Sequence, residues 1–219
     1  MGRSAVVVVL SAALLCAVAL ASNQRQREGA RSLKVTSRHA VVPSFSESTC
    51  SALPTLICNV QPTDGNQVSG TVYLTPIWSQ RSADSQSFAC YTRVTASIAG
   101  LPGPKHGFHA HTYGDLSSAD GKSTGGHFTN PAGTDAQHGY PGDATRHWGD
   151  FGNLHVGADG IAEYDRIDDV IRLGGMVGRS ITIHAEDDKG VEEQPSGGAG
   201  SRVAYCVIGY ANPAVVADA

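Results

Sequence analysis

Past its first 21 residues the chain has no apolar run long enough to cross a bilayer, so nothing downstream reads as a membrane span. It has no N-x-S/T sequon. Asn130 is followed by Pro131, and Asn23, Asn59, Asn66, Asn153 and Asn212 lack a hydroxyl residue two positions on, so N-glycosylation is not expected. Basic excess is absent too. The formal net charge of −4 argues against nucleic acid as a main partner. It leaves room for a small anionic substrate, because a local positive patch can coexist with a net negative surface. Cysteine is sparse, with five residues. Cys16 falls in the leader. Cys50, Cys58, Cys90 and Cys206 remain, an even number that in a secreted chain favours two disulfides, with three pairings open.

Residues 1–21 read as a secretory signal peptide. Arg3 supplies the positive start, Ala5 to Val18 the apolar stretch, and Ala19-Leu20-Ala21 an A-x-A cleavage site before Ser22. Residues 22–51 are poor in aromatics and carry Arg25, Arg27, Arg31, Lys34 and Arg38, which reads as a basic, loosely docked arm. Such an arm is a candidate for weak contact with extracellular polyanions, although a solvated tail is the plainer reading.

Residues 52–219 read as one domain of short strands. Eight candidates run Thr55 to Val60, Val68 to Trp78, Phe88 to Ala99, Gly107 to His111, Asn153 to Val156, Ile161 to Ile167, Ser180 to Ala185 and Arg202 to Tyr210. The A-D-G turn between the fifth and sixth signals a hairpin. Many short strands with turn chemistry between them argue an antiparallel sandwich or barrel. Two connections are long, Thr112 to Asp150 and Glu186 to Ser201.

The first of these carries the chemistry. His109 and His111 project from one face of a strand, where both rings can reach one ion. His127, His138, His147 and Asp150 follow, and His184 arrives in I-T-I-H. Imidazole with carboxylate suits zinc, copper, iron or nickel, so ligand type alone does not choose the metal. His147 and Asp150, three apart, suit a turn at a tetrahedral site. The segment between is rich in Gly, Ser, Thr and Asp with little hydrophobic periodicity, and a metal can hold what a core does not. Six of the nine histidines fall in this pattern; His39, His106 and His155 read as ordinary polar residues.

These motifs resemble the copper/zinc superoxide dismutase family. The likeness covers roughly Leu56 to Tyr210 and includes G-F-H-A-H, G-G-H-F, R-H-W-G-D-F-G-N, G-G-M-V-G-R-S-I-T-I-H-A and G-A-G-S-R-V-A. It implies an all-β, eight-stranded antiparallel Greek-key barrel with two long functional loops. It implies copper on His109, His111, His127 and His184, and zinc on His127, His138, His147 and Asp150, with His127 shared. Asp188, rather than Asp187, is implied as the carboxylate linking a ligand of each metal. Arg202 is implied as the cation beside copper that docks superoxide, and Glu192 and Glu193 as an acidic pair for electrostatic guidance. His127 is implied to carry a proton during turnover. A homodimer is also implied. The alternative is an inactive extracellular metal-binding relative. No ligand is missing to support it, and the presence of His138, His147 and Asp150 disfavours a copper-only enzyme.

Two departures stand out. The family tethers its metal loop to the last strand by a disulfide, whose cysteines would fall between Leu116 and Asp120 and at Tyr205. Both are absent, which implies a looser Thr112 to Ser123 segment and weakens the case for the dimer. In the implied barrel the first and last strands are neighbours with Cys58 and Cys206 facing inward, so Cys58–Cys206 is the expected bridge, leaving Cys50–Cys90. The Glu186 to Ser201 loop is short, with Lys189 its one cation before Arg202, which implies a shallow salt dependence.

Overall fold

The computed structural model describes residues 46–81, 83–84, 86–129, 136–143 and 145–216. The leader and most of the arm lie outside them. The last residues of the expected arm are structured. Ser46 caps a short helix, α1 (Glu47–Ser51), through a reciprocal capping box with Thr49. Its Cys50 is fully buried and bonded to Cys90.

The strands are β1 (Leu56–Pro62), β2 (Ser69–Gln80), β3 (Phe88–Ala99), β4 (Lys105–His111), β5 (Asp150–His155), β6 (Ile161–Asp168), β7 (Ser180–His184), β8 (Arg202–Val207) and β9 (Gly209–Tyr210). A last helical turn, α2, spans Pro213–Val216. All eight expected strands are present, the final one broken at Ile208 into β8 and β9. In space the order is β5-β4-β7-β8-β1-β2-β3-β6, every pair antiparallel, with β9 on β1. This is the expected barrel, nearly closed. The expected β5–β6 hairpin is only a corner. One bridge, Val156 to Ala162, joins the two strands, and each then pairs elsewhere, β5 with β4 and β6 with β3.

Period-two alternation sends Leu56, Cys58 and Val60 of β1 and Val94, Ala96 and Ile98 of β3 inward. They meet Phe108, Leu154, Ile181, Ile183 and Cys206, and Phe108 packs edge-on against Phe151 and Tyr164. Strands β4 and β7 depart from half-burial and are covered on both faces. Phe108 and Ala110 fill the barrel, so His109 and His111 must point outward, where the two long loops cover them.

Candidate metal centre

Six buried histidines and two buried aspartates meet on that outer face. In one group, ligand atoms of His109, His111, His127 and His184 all lie within 4.8 Å of one another. A second group, meeting the same limit, joins His127, His138, His147 and Asp150. A third joins His109, His138 and Asp188. His127 belongs to the first two. An isolated bridge from His111 to His127 seats its backbone beside β4.

The hydrogen bonds decide which nitrogen each ring has to spare. His111 holds its Nδ1 2.8 Å from the Gly125 carbonyl and His184 its Nδ1 3.2 Å from that of Gly200, while their Nε2 atoms face each other at 3.2 Å. His109 uses Nε2 on Asp188, at 2.9 Å. His127 uses Nδ1 on Asp150 Oδ1, at 2.8 Å. This leaves His109 Nδ1, His127 Nε2, His138 Nδ1 and His147 Nδ1 buried without a hydrogen bond. Four buried polar atoms lacking partners within one cluster would be costly in a dry protein. They fit one shared explanation, that they are aimed at cations. Asp150 agrees with it: His138 Nδ1 stands 2.9 Å and His147 Nδ1 3.3 Å from its oxygens without hydrogen-bond geometry.

Electrostatics prepare the rings. Burial, then the neighbouring His109, pushes His127 down to about 4, and burial also drives His111 and His184 well below the usual range. These rings are neutral at pH 7, the form that binds a metal. Burial lowers His138 as well, but the nearby carboxylates of Asp150 and Asp188, the latter hydrogen-bonded to Nε2, outweigh it and lift the ring to about 9. Burial would raise Asp188, yet His109 and His138 hold it below the ordinary carboxylate range.

Asp188 links the groups. Its Oδ2 meets His109 Nε2 at 2.9 Å and its Oδ1 meets His138 Nε2 at 2.7 Å. Orienting carboxylates of this kind fix ring geometry and tune ligand basicity. Gly197 is obligatory beside them. Its φ is +72°, and a Cβ there would lie 2.1 Å from Asp188 Oδ1 and 2.5 Å from His138 Nε2. Asp187 instead pairs with Lys105 at 3.5 Å on the surface.

Four supporting residues were not foreseen. Asn153 holds both backbone groups of Asp188, at 2.9 and 2.7 Å, and Gln194 does the same for His138. Arg146 is buried, bonded to Asp168, and donates to the carbonyls of Asp143 and Asp150, fastening the loop to β6. Removing one partner of such a buried pair typically costs about 3–5 kcal/mol. His106 is buried outside the cluster, its two nitrogens on the carbonyls of His184 and Gly103. His155 is exposed.

A cavity of about 740 Å³ reaches His111, His127 and His184 from solvent. Arg202 lines it, its guanidinium donating to the Gly125 carbonyl at 2.6 Å. The other charged lining residues are Asp64, Asp120 and Lys122, with Lys122 paired to Asp120 at 2.7 Å. Glu192 and Glu193 are exposed and do not line the cavity.

Gly121, one past the interval expected for a tethering cysteine, lies beside Tyr205. A Cβ on it would lie 3.1 Å from the Tyr205 ring. The loop is fastened by other means. Asp64 N–H donates to the Ala119 carbonyl at 3.0 Å, and Ser180 donates to that of Tyr113 at 2.7 Å. Arg179 donates to the carbonyl of Thr112 at 2.7 Å while lying over the ring of Phe128.

A family model described as copper/zinc superoxide dismutase matches residues 68–208. The chain belongs to that family. A superoxide dismutase [Cu-Zn] 2 from Brassica juncea is 46% identical over 126 residues, covering 54% of this chain and 80% of its own length. The solved structure of the clock protein EA4 aligns with a TM-score of 0.59 at 31% identity, covering 77% of this chain and 99% of its own. The dismutase therefore takes copper and zinc as cofactors, and the spare ring nitrogens fit that demand. Both expected disulfides, Cys58–Cys206 and Cys50–Cys90, are present.

Proposed function

We propose that this is a secreted dismutase in which His109, His111, His127 and His184 hold copper and His127, His138, His147 and Asp150 hold zinc. The observation that carries the reading is His127, with Nδ1 on the Asp150 side and Nε2 spare on the other. Copper, when bound, supplies the one-electron chemistry that zinc with its filled d shell cannot. The chain's own residues do the rest. Arg202 docks the superoxide anion. His127 holds a proton at Nε2 and yields it to the departing peroxide. Two superoxide anions and two protons become dioxygen and hydrogen peroxide. Two disulfides in one domain support an oxidising, extracellular setting. The exposed apolar residues Tyr113, Val177 and Val207 support a second copy as partner.

Metal analysis paired with superoxide decay on the mature protein tests the reading. Near-equimolar copper and zinc with fast decay are expected; both metals without turnover would make this a binding protein.

Charge at the cavity mouth makes a second expectation. Glu192 and Glu193 reach an incoming anion only through solvent, where salt screens them. Asp120 and Lys122 line the path itself. Asp120→Asn is expected to raise the second-order rate constant roughly two- to threefold at low ionic strength, fading by about 0.15 M salt. An unchanged rate at low salt would remove Asp120 from the steering field.

A further inference from the structure

The wall of the cavity is tied to the zinc half of the centre by one exposed side chain. Gln194 accepts a hydrogen bond from the His138 N–H at 3.1 Å through Oε1 and donates from Nε2 to the His138 carbonyl at 2.9 Å. A single carboxamide thus satisfies both backbone groups of a residue 56 positions away, as a neighbouring strand would. Its chain neighbours Pro195 and Ser196 line the cavity with His111, His127, His184 and Arg202. The loop reaches the centre at two other points: Asp188, six positions earlier and away from the cavity lining, which bonds His138, and the Gly200 carbonyl, which meets Nδ1 of His184 on the opposite half.

We infer that Gln194 is a positioning residue that couples zinc occupancy to the wall of the substrate cavity. When the metal fixes His138, Gln194 fixes Pro195 and Ser196. When His138 is free to move, the wall moves with it. The inference rests on the assignment of His138 to zinc. Reciprocity follows from linkage: if zinc orders the wall through Gln194, the wall also helps retain zinc.

The test compares the full mature protein with Gln194→Met, a variant of similar length that makes neither hydrogen bond. Both are loaded with copper and studied with and without zinc. One readout is hydrogen exchange at the Gly197 amide, which donates to the Glu193 carbonyl at 2.6 Å within the same loop. The other is zinc release to a chelator. In the wild type, zinc should slow exchange at Gly197. In Gln194→Met that protection should fall, and zinc should leave, about tenfold faster, the scale set by two net hydrogen bonds. Exchange in β4 and β7 should not change. A generic exposed substitution shifts global stability little and would not act on zinc-dependent exchange in one loop. Equal zinc-dependent protection and equal zinc release in the two proteins would overturn the coupling alone. Absence of any zinc effect in the wild type would overturn the His138 assignment and the coupling with it.

Discussion

Replacing His127 by alanine is expected to lower superoxide dismutation by at least about 100-fold, the lower end of what a positioned proton donor contributes. The ring sits at the middle of the centre. Its centroid lies 4.1 Å from that of His109, 5.0 Å from His138, 5.2 Å from His111 and 5.9 Å from His147. Among the described residues no other histidine belongs to both four-residue groups. Truncation therefore removes one donor from each set at once and opens the wall between them. The residual sets, three histidines on one side and two histidines with Asp150 on the other, retain some affinity, so metal content should fall less than activity. Loss of the ring also removes the link between Nε2 and the Asp150 carboxylate, which meets the same ring at Nδ1. Decay of a superoxide pulse, with metal content measured on the same samples, checks this. His155→Ala, at an exposed site outside the centre, is the control and should retain full activity. Activity within tenfold of the wild type, with both metals bound, would show that the two sites do not depend on a common ring.

The histidine cluster was legible because its spacing carries geometry. Two histidines at i and i+2 on a strand must share a face, and β4 needed only Phe108 and Ala110 inside to turn His109 and His111 outward. His147 and Asp150 were legible as a turn, now seen as the Asp150 N–H donating to the His147 carbonyl at 3.2 Å. Asn153, Gln194, Arg146 and Asp168 were not. Each is a common polar residue whose role depends on a partner that only the fold brings near, 35 positions away for Asn153 and 56 for Gln194. Spacing cannot announce such a pair. Gly121 was missed for a related reason. Loop length alone could not tell which residue would face Tyr205, since the turn at Gly121 requires a φ of +74° that only the folded loop reveals. The corner between β5 and β6 was misjudged as a hairpin because its turn residues are the same for both. Which partner each strand then takes is a property of the whole barrel.

Removing the Cys58–Cys206 bridge is expected to destabilise the metal-free protein by about 4–5 kcal/mol, the entropic scale for closing a loop of more than about 100 residues. The two cysteines are separated by 148 positions and are 0% and 1% exposed. They cross-link the barrel at a thin seam. Strand β1 pairs with β8 through only Gln61–Tyr205 and Pro62–Ala204, and its other end turns to β9. Long-range closure here has little ladder to sustain it, so the covalent link limits the unfolded chain where the folded one is least bonded. Cys50–Cys90, with a separation of 40, closes a shorter loop and should matter less, by about 3–4 kcal/mol on the same scale. Denaturant titrations of Cys206→Ala should be run on metal-free protein, because bound metal adds stability by mass action and would mask the difference. A change below about 1 kcal/mol would mean the core alone holds the seam, and alkylation of Cys58 and Cys206 without reduction would remove the bridge altogether. The location of the bridge also fixes what its loss should spare. A tether at Tyr205 would act on the outer face, where the metal loop lies; Cys206 points into the barrel, away from it. Cys206→Ala should therefore lower global stability while leaving zinc affinity of the folded protein within about twofold of the wild type, which chelator competition well below the unfolding midpoint would measure.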